Sequence, residues 1–435
     1  MSFFIKMSIQ LKLQLVFSIL IILIIGIISF FTIKKSEESL TKEIGRNFQV
    51  QATLTMQKID NSLFERYGDA QSFASNDLAI KKLEGKDVDL ELQSYFNKIM
   101  PIYGCYDLMI LVDINGKIIK TNTVKSDGSP FQESLAIIGK DKSKSKWFQK
   151  IISGEIKKGF SYYSDSHKDK YVSELYNTQE PILDFASGVY NKENKLLGMW
   201  VNYIRLNNIV GAISKPTFDY NKSIGIKSYQ LLIIDKNQNL LIDSRITKDM
   251  SDFNFNNKLN SLNLALSGKD TFEVERNTRT NVLLVDGASL SKGVGDFKGN
   301  NWVCLTRVDA KEAFASISEL KTFLLILGVV LVLLSIFLVY LIALNIKNGI
   351  LKVNENIFKI TTGIVNGELS TRANTNEVGV DFKNLTSNIN NLIDAFVAPI
   401  NVTAEYVDRI SKGDLPPIIV DDYKGDFNEI KSNIN

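Results

Sequence analysis

Residues 323–344, FLLILGVVLVLLSIFLVYLIAL, form an uncharged apolar run that passes into a polar pattern rich in Asn and Lys. At about 1.5 Å of rise per residue, a helix of this length crosses a hydrocarbon core of roughly 30 Å. No water is available there, so the backbone must satisfy its own hydrogen bonds and the segment must be helical. A buried core helix is the alternative, but core helices seldom run so long without a charge. The run predicts a membrane-spanning helix leading directly into a signalling helix.

A second such run, residues 11–32, has the uncharged centre VFSILIILIIGIISFF. It exceeds a usual signal-peptide core and no small-x-small cleavage site follows it, which favours an uncleaved anchor. These two runs hold much of the excess in a chain of 435 residues that is 45% hydrophobic and 23% charged, a length that predicts two to four domains. Two spans put residues 36–321 on one face of the membrane and both termini on the other. Lys6, Lys12, Lys347 and Lys352 flank one side, but Lys34, Lys35 and Lys321 flank the other, so the charge bias is weak. Termini inside is the expected orientation because a signalling coupler after the second span has a use only there. The net charge of +3 is small and dispersed, which excludes a nucleic-acid partner. Cys105 and Cys304 lie far apart and outside any CxxC spacing, and read as unpaired thiols. His167 is the only histidine, which removes His-based zinc sites, Ser/His and Cys/His hydrolase arrangements and a phospho-accepting histidine.

Beyond the first span, Leu40, Ile44, Phe48, Met56, Ile59, Leu63, Tyr67, Ala70 and Phe73 recur mostly three or four apart, predicting a long amphipathic helix over 36–75 that serves more than one module. An internal repeat follows. Residues 106–122, YDLMILVDINGKIIKTN, resemble residues 229–244, YQLLIIDKNQNLLIDS. In each, an apolar run ends at an aspartate (Asp113, Asp235), a polar turn follows and a second apolar run returns, which is a hairpin signature. Further strands are predicted at 160–164, 183–190 and 195–204 in the first copy and at 271–276, 282–289 and 301–308 in the second. A long helix and two antiparallel-sheet modules between two membrane spans resemble the double Cache sensor of bacterial receptors, over about 36–320. The fold class is therefore an α+β transmembrane receptor with two tandem PAS-like modules, the first at about 76–210 and the second at about 225–310.

After the second span, Val353, Ile357, Ile360 and Ile364 are spaced as a heptad seam requires, and Leu385, Ile389, Leu392 and Phe396 restore that spacing after a glycine turn at Gly367 and the Glu377-Val378-Gly379 triplet. This pattern resembles a HAMP domain over 346–398, with Gly349 about where the usual proline of the first helix would stand. Ile364-Val365-Asn366-Gly367-Glu368-Leu369 recurs as Ile410-Ser411-Lys412-Gly413-Asp414-Leu415, and Ser387-Asn388-Ile389-Asn390 recurs as Ser432-Asn433-Ile434-Asn435. A second HAMP-like repeat, 399–435, is therefore expected to stop inside its last helix, with an output region to follow.

No nucleotide-binding glycine loop and no nucleophile elbow is present, so no enzyme is expected in these residues and no cofactor or metal is implied. The candidate site is a binding site in the first module. In double Cache receptors for amino acids the pocket pattern is an arginine, one residue, two aromatics, then Tyr-x-Asp and a final aspartate. Here Trp147 and Phe148 match the aromatic pair, and Tyr163-Ser164-Asp165 matches Tyr-x-Asp. Ser145 stands in place of the arginine and Tyr203 in place of the final aspartate. An arginine fork grips a carboxylate and an aspartate pairs with an ammonium, so their loss argues against free α-amino acids and for another small polar ligand. Lys144 and Lys146 are either point charges for that ligand or part of a solvated loop, and Trp147 and Phe148 are either a pocket wall or core packing. Tyr171 and Asp184 complete the candidate list, beside Tyr176 and Tyr190, while His167 reads as a loop residue.

The expected whole is a two-pass receptor of the plasma membrane: an N-terminal segment 1–10, spans at 11–33 and 322–345, and an extracytoplasmic sensor at 34–321. It resembles methyl-accepting chemotaxis proteins. That resemblance implies a homodimer, higher receptor arrays, and a chemotaxis histidine kinase with its coupling protein as partners of the following region. A sensor histidine kinase or nucleotide cyclase output, or an outer domain that binds a partner protein or peptidoglycan, is the alternative.

Overall fold

The structure, a computed structural model, describes residues 7–245, 253–277 and 280–435. Of the expected N-terminal segment, residues 1–6, with Lys6, lie outside the described residues. The chain divides into two compact units, 35–320 and 1–34 with 321–435.

The sensor unit is built against helix α1, Ile9–Ala74. Phe48, Ala52, Met56, Ile59, Leu63, Tyr67, Ala70 and Phe73 recur every three or four residues and are all buried in one core. This stripe is the amphipathic period read from the sequence, and each large side chain buried in it contributes roughly 1.5–3 kcal/mol at most. Helices α2, Asp77–Leu83, and α3, Asp89–Tyr103, fold back over it. Asn76 caps α2 by accepting the Leu78 N–H at 2.8 Å.

Strands β1, Leu108–Asp113, β2, Ile118–Thr121, β3, Ser161–Tyr163, β4, Ile182–Tyr190, and β5, Leu196–Arg205, make an antiparallel sheet in the order β2-β1-β5-β4-β3. Helices α4, Lys146–Ile152, and α5, Lys170–Tyr176, interrupt it. A π-turn at Asn207–Gly211 and helix α6, Ala212–Ser223, lead to the second module. There, β6, Gln230–Ile234, β7, Leu240–Asp243, helix α7, Asn260–Leu266, β8, Thr271–Arg276, β9, Leu283–Leu290, and β10, Val303–Asp309, repeat the topology as β7-β6-β10-β9-β8. The repeat extends to atoms. Asp113 Oδ1 accepts the N–H groups of Asn115 and Lys117, and Asp235 Oδ1 those of Asn237 and Asn239. A register shift falls between Leu111 and Val112 in one hairpin and between Ile233 and Ile234 in the other.

Both sheets bury both faces. Met109 and Leu111 of β1 join the α1 core, whereas Leu108, Ile110 and Val112 face a second cluster with Trp147, Phe148 and Tyr203. In the second module Leu231 and Ile233 meet α1, and Leu232 and Ile234 meet Phe255, Leu259 and Leu262. Both cysteines are free thiols, with Cys304 buried under this sheet. Sheet and helix approach most closely at Gly287, where an added Cβ would come within 2.4 Å of the backbone of Phe48 and Gln49. Thr306 Oγ1 donates to the Phe48 carbonyl at 2.8 Å beside it.

Helix α8, Ala310–Ala313, ends the sensor unit with the start of α9, Ala315–Val365, which continues into the other unit, where α10, Val380–Ser411, and α11, Asp426–Ile434, follow. The most apolar windows of α1 and α9 have mean hydropathies of 3.0 and 3.2 with none of their residues buried, so each helix is long and apolar enough to cross a membrane and neither window packs in a core. Ile360, Ala373, Ile393 and Val397 form a small core between α9, its connector and α10. Asn390 brackets Ala373, accepting its N–H at 2.8 Å and donating to its carbonyl at 2.9 Å. Asn435 does the same to Ile419, at 2.7 and 3.2 Å. Helix α10 runs unbroken through Pro399, across the boundary expected at 398. Gly349 lies inside α9 and admits the Phe382 ring, which an added Cβ would meet at 2.2 Å.

Gly287→Ala is expected to cost roughly 1–3 kcal/mol, the usual penalty for forcing volume into a packed core. It would appear as a lower urea midpoint of the detergent-solubilised chain; an unchanged midpoint would mean that the second sheet is not seated on α1 at this point.

Candidate ligand-binding site

The outer face of the first sheet carries a cavity of about 340 Å³, formed by the start of α4, the segment after β3, and β4. Strand alternation decides which side chains reach it. In β3, Ser161 and Tyr163 turn to the spine: Ser161 Oγ donates to the Tyr67 carbonyl at 2.8 Å, and the Tyr163 ring meets Tyr67 edge-on at 6.0 Å. Tyr162 points the other way and lines the cavity. The expectation for Tyr163 is therefore corrected: a period of two along the strand gives the wall to its neighbour.

Asp184 of β4 closes the cavity. It is 4% exposed, directly opposite Tyr203 of β5, and its Oδ1 has no hydrogen-bond partner. Its Oδ2 lies 3.5 Å from His167 Nε2. Burial pushes the Asp184 carboxyl above its ordinary range, against the opposing pull of His167. Ser164 holds the strand here, its N–H donating to the Asp184 carbonyl and its Oγ accepting the Asp184 N–H, both at 2.9 Å.

Trp147 is buried and lines the cavity, and Phe148 packs edge-on against it at 6.0 Å without lining it. Ser145, at the position of the missing arginine, also lines it, as do Asp165 and the exposed Lys146. Tyr171 and Tyr203 stand behind this wall, around Lys142. That ammonium is buried, lies 2.6 Å from Asp169 Oδ2, and sits 4.3 Å from the Tyr171 ring centre and 5.3 Å from that of Tyr203. Asp169 Oδ1 meanwhile caps α5 by accepting the N–H groups of Tyr171 and Val172. Tyr176 is directed elsewhere, its hydroxyl donating to the Asp107 carbonyl at 2.8 Å.

Of the candidates, Trp147, Asp165 and Asp184 thus come together on the cavity, Phe148, Tyr171 and Tyr203 support it, and Tyr163 leaves it. Lys142, Tyr162, Ser164 and Asp169 were not among them. Alternation along β3 points to Tyr162, and Asp169 stands as a helix cap before Lys170 to Val172. Lys142 carries no local signal, because its partners lie 27 residues and more away in sequence.

The second module contains the counterpart of this site. The hairpin registers make Val112, opposite Met199, equivalent to Ile234, opposite Val303. Asp184 and Tyr203 then correspond to Asp286 and Arg307, which also face each other across adjacent strands. Arg307 grips Asp286 with two bonds, Nε to Oδ1 at 2.9 Å and Nη2 to Oδ2 at 2.5 Å. The second module satisfies its carboxylate internally, whereas in the first the carboxylate lines a cavity and one of its oxygens has no partner.

Residues 36–317 match the Cache domain family. The chain belongs to that family. The Cache match covers the whole sensor unit apart from its last few residues, and a HAMP domain match covers residues 378–435, from just before α10 to Asn435. With its two apolar helices the protein is a membrane-anchored sensory receptor of Cache and HAMP modules. No curated protein matches it. Among solved structures, an extracellular ligand binding receptor from Desulfohalobium retbaense is 10% identical with a TM-score of 0.38, over 62% of this chain and 39% of that one, so the Cache receptor spans well under half of that relative. The domain of a sensory box/GGDEF family protein from Vibrio parahaemolyticus is 13% identical with a TM-score of 0.45, over 63% of this chain and 99% of that one. The ligand binding domain of the Pseudomonas aeruginosa amino acid chemoreceptor PctB, in complex with L-Gln, is 14% identical with a TM-score of 0.40, over 63% and 97%.

Because Asp184 holds its proton more tightly when folded, the Cache unit binds more protons than its unfolded chain between the ordinary and the raised carboxylate pKa. Stability therefore falls as pH rises through that window. Asp184→Asn is expected to flatten the slope, so that the thermal midpoint of the variant gains on that of the parent between pH 4 and pH 7. A gap between the two that stays constant with pH would refute this.

Proposed function

We propose that this Cache receptor is a two-pass chemoreceptor of the methyl-accepting type, with its sensor outside the cell and both termini in the cytoplasm. Its first module binds a small polar molecule that presents a cationic N–H group to Asp184. One observation supports the ligand class: Asp184 lines a cavity and keeps an oxygen without a partner, where the equivalent Asp286 is paired with a guanidinium. The absence of an arginine at Ser145 argues against an accompanying α-carboxylate. Trp147 and Tyr162 supply aromatic surface for the rest of the molecule.

The reading extends to a homodimer. An apolar groove of about 430 Å³ runs along α9 and α10, and Ile357, Leu392, Phe396 and Ile400, which line it, are 42–62% exposed. Two helices supply half of a four-helix bundle, and a second copy completes the seam. A chemotaxis kinase and its coupling protein would then be its signalling partners.

A thermal-shift screen of the solubilised chain with small amines, amidines, organic acids and amino acids is expected to give hits among amines and amidines. Trp147→Ala should weaken them roughly tenfold, which corresponds to 1.4 kcal/mol. Hits confined to organic acids, or unaffected by the substitution, would move the site. For the dimer, Ile357→Cys and Ile360→Cys in membranes are each expected to crosslink between subunits on oxidation, and failure of both would sink the parallel arrangement.

A further inference from the structure

We infer that Trp302 of the second module is the residue through which occupancy of the first module's cavity is read. Three consecutive residues, from the last of β3 onward, touch the second module. Tyr163 packs edge-on against Phe297 at 4.7 Å between ring centres. The Ser164 carbonyl accepts from Asn300 Nδ2 at 3.0 Å. Asp165 Oδ1 accepts from the Trp302 indole Nε1–H at 2.8 Å. Ser164 and Asp165 are also cavity wall, and Ser164 is bonded on both sides to Asp184. The wall is therefore the same stretch of chain as the junction between modules.

The far side of the junction is equally specific. Trp302 is 1% exposed, and the residue after it opens β10, the strand whose end at Asp309 continues into α8 and α9. Asn300 Oδ1 is buried without a partner, beside the amide that holds the Ser164 carbonyl. A cationic ligand group next to Asp184 also stands near the Asp165 carboxylate and competes with the indole for it. Binding then changes the hold on Trp302, and β10 responds. Trp302 touches no ligand in this scheme; it is a positioning residue acting through Asp165.

This inference rests on the cavity being the ligand site, and the test separates the two. In full-length protein carrying Cys105→Ser, reconstituted in nanodiscs, Ser145→Cys is labelled with a methanethiosulfonate bearing an ethylammonium group. The thiolate displaces methanesulfinate and leaves the cation tethered by a disulfide at the cavity; a methylthio label is the neutral control. Hydrogen exchange of the amides in residues 303–309 is followed by mass spectrometry. The cationic tether is expected to change their exchange about threefold or more relative to the control. With Trp302→Phe, which keeps the ring and removes the donor, the change is expected to vanish, and with Asp165→Ala, at an exposed position, likewise. A tether effect of the same size in both variants, or labelling without any effect, would overturn the inference and leave the cavity standing. A cysteine at 145 that cannot be labelled would overturn the cavity reading itself, and the inference with it.

Discussion

The sensor depends on one contact, the apolar stripe of α1 laid across the inner faces of two sheets. Neither sheet has another surface on which to bury that face, and the stripe, from Phe48 to Phe73, supplies both from a single helix period. Gly287 shows how tight the seating is, since there even a methyl group would meet helix backbone. The consequence for function is indirect but firm. With the inner faces committed to the spine, chemistry is left to the outer faces, where each module covers its sheet with its own short helices.

Those outer faces show what duplication followed by divergence does to a site. The two modules keep the same strand order, the same aspartate-capped turn and an acidic residue at the same register of the fourth strand. At the facing position one has Tyr203 and the other Arg307. A guanidinium satisfies a buried carboxylate with two charged bonds, and removing either member of such a pair costs several kcal/mol, so Asp286 is fixed in a structural role. A phenol beside Asp184 gives no such closure. Burial holds both carboxyls above the normal range, and a cavity lies beside Asp184. One side-chain exchange separates a carboxylate paired within its module from one that keeps an unpaired oxygen.

Most of the architecture was legible in the sequence because its signals are local and repeated. The 3.6-residue stripe of α1, the paired hairpins and the uncharged runs each span enough residues for a pattern to stand out, and the strands lie within two residues of where they were expected. The recurrence of Asn390 as Asn435 was visible as spelling, and the structure gives its reason: both asparagines bracket one backbone residue of the preceding connector. The site was less legible. Trp147 and Asp165 stand in the motif and Asp184 outside it, while the motif's Tyr163 turns to the spine and its neighbour Tyr162 lines the cavity. Lys142 and Trp302 act through partners 27 and 137 residues distant, and no periodicity reports such pairs. Gly349, which on the sequence marked only a missing proline, is a contact point for Phe382.

A receptor of this kind is limited by differential affinity: a ligand biases two arrangements only by as much as it prefers one of them, and a shift from 1:99 to 99:1 requires about 5.5 kcal/mol. One bond to an open carboxylate does not reach that figure. Asp184 and Asp165 line the same cavity, so in the inferred relay one cation could engage the first and compete for the carboxylate that holds Trp302. Gain in one place and loss in the other then add to the same preference. The strand after Trp302 is also the strand that buries Arg307 with Asp286 and carries Thr306 to the spine. In the inferred relay a shift at its first residue would work against those fixed points, and the amides of residues 303–309 lying between them would report it.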